Sequence, residues 1–139
     1  VGVKLGERVH AAESPRARFA SPEATVRAFA AALRDARFGA ALECFAKRSC
    51  LVTPDATTIS GRSAIGDILT QLISQRAKIA IESSGAVIAG DLAFVNQRWR
   101  ITVGRDGEQP HLREVVPVLV LCRDRSEWKL AITAPWGRP

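Results

Sequence analysis

Val115-Val116-Pro117-Val118-Leu119-Val120-Leu121-Cys122 is the longest apolar run in the chain, with Arg113-Glu114 before it and Arg123-Asp124 after it. It is far shorter than the about 20 residues a membrane span needs. Its valines lose side-chain freedom in a helix, so the run reads as a strand buried on both faces. Pro117 has no backbone N–H to give to a sheet. It predicts a bulge or sharp bend there, and a sheet that curls. A curled sheet has a concave face, and a concave face can hold a ligand.

Working outward, the neighbouring segments also have extended periodicity. Lys78 to Val87 reads as one strand, with Gly85 as the candidate bulge. Gly90-Asp91 turns the chain, and Leu92 to Val103 returns. Gly104-Arg105-Asp106-Gly107 is a turn cluster. Arg123-Asp124-Arg125-Ser126 closes a last hairpin, with Glu127 to Ala134 as its second strand.

Upstream, the period is helical. Ser21 is an N-cap, Pro22 fits the first helical position and Glu23 complements the dipole. Val26, Phe29, Ala30 and Leu33 follow at helical spacing. Gly39 is the expected turn, and Ala40, Ala41, Leu42 and Phe45 a second short helix. Ser49 to Thr53 is a brief strand stopped by Pro54-Asp55. Gly61-Arg62-Ser63 opens a third helix whose Ile65, Ile68, Leu69, Leu72 and Ile73 form one apolar stripe. Residues 1–20, polar and basic, read as an N-terminal extension with one loose helical turn, and residues 21–139 as the domain. Helices first and antiparallel strands after is the α+β pattern, with helices packed on one face of a bent sheet.

A chain of 139 residues makes one domain and buries roughly 68–70% of its unfolded surface, enough for a core without metals or disulfides. Cys44, Cys50 and Cys122 match no metal spacing, and His10 and His111 lie far apart. No metal or cofactor is expected, and the thiols read as reduced, in a cytoplasmic protein. The formal net charge is +6, but the cations are scattered among acids at Arg34-Asp35 and Arg123-Asp124. That pattern lacks the basic stripe of a nucleic-acid binder, so no nucleic-acid partner is expected. Attraction of an anionic ligand is the more plausible use of the charge. Val1 to His10 has no apolar segment before a cleavage site, so no signal peptide is expected, and no membrane partner.

Several stretches in this order resemble a known family. They are Arg27 to Leu33 (Arg-Ala-Phe-Ala-Ala-Ala-Leu), Cys44-Phe45-Ala46, a strand ending in Pro54, Gly61-Arg62-Ser63-Ala64-Ile65, and a meander closed by Trp128-Lys129-Leu130-Ala131-Ile132 and Pro135-Trp136-Gly137. From about Ser21 to Gly137 the chain resembles the NTF2-like superfamily, cone-shaped α+β barrels, and within it the SnoaL-like and ketosteroid-isomerase-like branches. The resemblance implies a cystatin-like cone with a pocket. It does not fix the activity, because the superfamily hosts isomerases, cyclases, epoxide hydrolases, dehydratases and non-catalytic modules. Ketosteroid isomerases use an Asp base with a Tyr and a protonated Asp as oxyanion hole. Carried over without gaps, those three places fall at Thr53, Phe29 and Leu119, and all three roles are vacant. Steroid-type isomerisation by that machinery is disfavoured.

Other residues are candidates on their own chemistry. Val95, Gln97, Trp99, Ile101 and Val103 share one face, with Asn96, Arg98 and Arg100 on the other. Gln97 inside an apolar space needs partners; it either bonds neighbouring backbone or meets a ligand. Trp99 is either core or pocket wall. Trp128, Leu130, Ile132 and Ala134 alternate inward towards Trp136, which either lines the pocket or packs over the first helix. Asp55 is the carboxylate nearest the vacant base position, or an exposed turn residue. Arg113 faces the cone's open end or pairs with an acid such as Glu82. His111 reads as a solvated loop residue.

Asp55, Gln97 and Arg113 are therefore the candidate polarising groups. Phe29, Leu33, Thr53, Trp99, Leu119 and Trp136 are the candidate pocket for a small apolar molecule. Val116, Val118 and Val120 point outward by the phase that sends Leu119 inward. Apolar residues on an exposed sheet face need a cover, and the resemblance implies a homodimer through that face. Three functions follow: an isomerase-, cyclase- or hydrolase-type enzyme without metal, a carrier or sensor of an apolar molecule, and a dimeric assembly module.

Overall fold

A computed structural model describes residues 15–104 and 109–137. The elements are α1 (Pro15–Arg18), α2 (Pro22–Arg34), α3 (Phe38–Glu43), β1 (Phe45–Val52), β2 (Thr58–Ser60), α4 (Arg62–Ser74), β3 (Lys78–Ala89), β4 (Leu92–Val103), β5 (His111–Val115), β6 (Val118–Asp124) and β7 (Glu127–Ala134). Residues 1–14, with the signal-peptide reading and His10, lie outside the described residues, as does most of the turn cluster after Gly104.

The apolar run forms two strands. β5 pairs with the second half of β4, from Trp99↔Val115 to Val103↔His111, and β6 pairs with its beginning, from Leu92↔Cys122 to Phe94↔Val120. Val116 and Pro117 occupy the gap, so the missing N–H falls where no ladder is formed. The reading of both faces as buried is corrected here. Val115, Leu119 and Leu121 are buried, but Val116 is 60% exposed and Val118, Val120 and Cys122 are half-buried. The core lies on one side of the sheet only.

The strand order is β2-β1-β7-β6-β4-β3, with β5 beside β4. The β1–β7 pairing is parallel and the others are antiparallel. The sheet curls without closing; β2 and β3 end its main path, and β5 is a further edge, pairing only with β4. In the helical layer, the Ser21 side chain accepts the Ala24 N–H at 3.0 Å, with Pro22 and Glu23 in the first turn of α2. Thr25 Oγ1 donates to the Trp128 carbonyl at 2.7 Å and ties α2 to β7. Ile65, Leu69 and Leu72 of α4 are buried. Phe29 meets Phe45 edge-on, with ring centroids 5.5 Å apart. Phe19, ahead of Ser21, is itself in the core at 2% exposure, and its carbonyl accepts the Trp128 N–H.

Four local expectations are corrected. The bulge in β3 lies at Glu82, between Ile81↔Trp99 and Ser83↔Arg98, and Gly85 pairs regularly with Asn96. The turn after α2 is at Ala36, with φ 55°, and Gly39 sits inside α3. Phe45 begins β1 rather than continuing a helix. In β7, Leu130 pairs with Leu121 and Ile132 with Val120, so Ala131 is an extra residue. It inverts the alternation: Trp128, Leu130 and Thr133 are buried, while Ile132 is 44% exposed.

Candidate functional site

The inner face of the sheet is closed by its own side chains. Trp99 is fully buried, and its Nε1–H donates to Gln97 Oε1 at 2.6 Å. Gln97 Nε2 donates to Ser84 Oγ at 2.9 Å, and Ser84 Oγ donates to Glu23 Oε2 at 3.0 Å. The Glu82 bulge makes this possible by placing Ser84, not Ser83, opposite Gln97. Both ends of the Gln97 amide are thus engaged by side chains, in a chain that runs from the core to the first turn of α2. Buried amides without such partners are costly. Leu119 is also fully buried, in the same core cluster as Trp99.

At the mouth of the cone Phe29, Leu33, Leu72, Gln75, Ala77, Ile79, Ile101, Val103, Pro135 and Trp136 surround a cavity of about 50 Å³. Three of the expected pocket residues, Phe29, Leu33 and Trp136, meet there; Trp99 and Leu119 do not reach it. Among the described residues of this lining, Gln75 and the Trp136 indole carry the polar side-chain atoms, and none is ionisable. General acid–base catalysis needs a titratable group within hydrogen-bond reach of the reacting atoms, and the lining supplies none.

The remaining candidates lie elsewhere. Thr53 and Asp55 share the β1–β2 turn, where Thr53 Oγ1 donates to Asp55 Oδ1 and the Thr57 N–H donates to Asp55 at 3.2 Å. These bonds, led by Thr53, hold the Asp55 carboxyl below its ordinary value. Arg113 is exposed and lines an open hollow of about 410 Å³ over the β5–β6 break, together with Glu114, Val116 and Trp136. Glu82, the acid considered for Arg113, pairs instead with Arg100 at 3.1 Å.

Two groups in the cone were not anticipated. The hydroxyls of Ser49 and Thr133 are buried and find no hydrogen-bond partner among the described residues. Thr133 became an inward residue only through the extra Ala131, which alternation alone does not show. Cys44 is buried, and burial pushes its thiol up to about 12. Cys50 and Cys122 are half-buried, and all three cysteines are free. Among the described residues no group of His, Cys, Asp and Glu is placed to hold a metal ion, and no helix is long and apolar enough to cross a membrane.

The outer face presents the opposite surface. The registers Val87↔Phe94, Phe94↔Val120, Val120↔Ile132 and Ile132↔Cys50 draw one row across five strands. Val87 is 62% exposed, Phe94 42% and Ile132 44%, with Leu92 and Val116 also exposed nearby. Arg100 lies on the same face, bridged to Glu82 and Glu114.

Helices on one side of a curled, unclosed sheet define an NTF2-like, cystatin-like fold, and solved structures agree. An association domain from Xanthomonas campestris, provisionally named for calcium/calmodulin-dependent protein kinase II, matches with TM-score 0.71 and 14% identity over 81% of both chains. An NTF2-like protein with a cystatin-like fold from Novosphingobium aromaticivorans gives 0.66 and 13%, over 79% of this chain and 75% of that one. A provisionally named dehydratase of the NTF2-like family from Streptomyces avermitilis gives 0.65 and 18%, over 79% and 89%. At these identities the likeness is one of fold. No curated protein sequence matches the chain. The SnoaL-like domain model matches residues 23–133, and the chain belongs to that family.

Proposed function

We propose that the chain works as a homodimeric, non-catalytic SnoaL-like module, two copies of which close the outer faces of their sheets on each other. The observation that carries this reading is the exposed apolar row Val87–Phe94–Val120–Ile132. Such a face is unfavourable in water, and a two-fold pairing covers it with an identical face. The salt-bridged Arg100 at its edge suits the polar rim of an interface. That one structural neighbour bears the name of an association domain accords with pairing. A dehydratase, the name of another neighbour, would need an acid and a base where this cone mouth has only Gln75. The free buried thiol of Cys44 suits a reducing compartment such as the cytoplasm. Light scattering should give twice the chain mass, and Val118→Glu should give a monomer. A wild-type monomer at high concentration overturns the reading.

The cone mouth favours a second function, capture of a small apolar molecule against Trp136. Its apolar lining with one placed amide has the make-up of a ligand site. The cavity of about 50 Å³ is a third of the roughly 150 Å³ that takes benzene in an engineered core. Trp136, half-buried in the turn after β7, must therefore move aside to admit a ligand. Apolar ligands should quench Trp136 fluorescence, and Ile79→Trp should abolish the quenching with the fold unchanged by circular dichroism. If no apolar compound changes fluorescence or melting temperature, this second function is excluded.

A further inference from the structure

Away from the cone, a groove of about 360 Å³ lies between the first half of β1, the β6–β7 hairpin and the start of α4. Lys47, Arg48, Arg62 and Lys129 line it, with Asp124 as the one carboxylate among the lining residues. Like charges gathered in one hollow repel each other and create a field that attracts anions. Two observations, the Arg62 Nε and the start of α4, show that the groove is short of negative charge. Arg62 Nη2 donates to the Leu42 carbonyl at 3.1 Å, but its Nε is enclosed and finds no acceptor among the described residues. An enclosed, unpaired guanidinium N–H is costly unless an acceptor is supplied. Lys129 is partly engaged already, its Nζ donating to the Glu43 carbonyl at 2.6 Å and lying 3.9 Å from Glu127, so it adds charge to the groove wall rather than a free donor. Finally, α4 runs for 13 residues after its N-cap Gly61, with no side-chain cap and no acidic residue in its first turn. The positive end of its dipole is therefore unneutralised beside Arg62.

We propose that this groove binds a small phosphate monoester, held by Arg62 and Arg48 with Lys47 and Lys129 completing the charge. Guanidinium forks match phosphate oxygens in pairs. A phosphate monoester brings close to two negative charges at neutral pH, which suits four cations and one acid better than a carboxylate does. The inference goes beyond pairing of the sheets and does not depend on it.

The test is calorimetric titration of the whole chain with phenyl phosphate, inorganic phosphate and benzoate at constant ionic strength. Saturable binding of phenyl phosphate at one site per chain is expected, with benzoate weaker. Arg48→Gln and Arg62→Gln should each weaken it about tenfold or more, as the loss of a charged hydrogen bond implies. Arg62→Gln can also loosen α3 through Leu42, so the exposed Arg48 gives the cleaner variant. The proposal is overturned by equal binding of benzoate, by absence of saturable heat, or by unchanged affinity in Arg48→Gln. Binding confined to phosphatidic-acid vesicles overturns it too, as does tighter binding of a single-stranded oligonucleotide than of phenyl phosphate.

Discussion

The two faces of the sheet differ in what they leave unfinished. On the inner face Trp99, Gln97 and Ser84 satisfy one another, and Phe29, Leu119 and Leu121 fill the space between sheet and helices. On the outer face Val87, Phe94 and Ile132 stand in water. The inner face is largely filled within one chain, whereas the outer face leaves an apolar row exposed. The packing of the core and the character of the exposed surface are set by opposite faces of the same strands, so either can change without the other.

The sharpest way to break the contrast is to empty the inner face. Trp99→Ala should destabilise the fold by about 3–5 kcal/mol in denaturant titration. A cost near that of a surface substitution would mean the interior is loosely filled. The next test is on the other face. Phe94→Ala should weaken self-association by about 2 kcal/mol or more if it is a central contact, with monomer stability little changed, read by sedimentation at several concentrations. Gln97→Leu comes third. It strands the Trp99 indole N–H in the core, and thermal melts should show a loss of about 1–3 kcal/mol; a neutral result would dissolve the hydrogen-bonded chain as a structural device. The smallest effect concerns the Thr53–Asp55 turn, which belongs to neither face. The folded Asp55 value lies below 3.8, with the Thr53 hydrogen bond the main cause. Its contribution is present above the unfolded value and is lost as pH falls through the folded one. The stability difference between wild type and Asp55→Asn should be constant near neutrality and shrink only in that acidic window. A difference that shrinks around neutral pH would assign the titration to another group.

Much of the fold was legible because it rests on local chemistry. Ser21-Pro22-Glu23 marks the start of α2, and Pro117 marks the break between β5 and β6, since each acts through its own backbone. The bulges at Glu82 and Ala131 were hidden. An extra residue in a strand leaves composition unchanged and merely exchanges the faces beyond it, so simple alternation places Ile132 inward and Thr133 outward. The site was less legible still. Phe29, Leu33 and Trp136 do converge, but the size of the space between them depends on the summed volumes of side chains from α2, α4 and β3, which no single segment carries. Gln97 was legible as a buried amide, but its partner Ser84 depended on a register that the bulge had shifted.

The three free cysteines make the molecule its own reporter. Thiolates, not thiols, attack alkylating reagents, and Cys44, enclosed and pushed up to about 12, stays silent in such chemistry while the chain is folded. Cys50 sits on the apolar row beside Ile132, and Cys122 lines the basic groove. A maleimide therefore reads two surfaces through two atoms: pairing of the sheets would shield Cys50, an anion in the groove would shield Cys122, and labelling of Cys44 would signal that the chain has come apart.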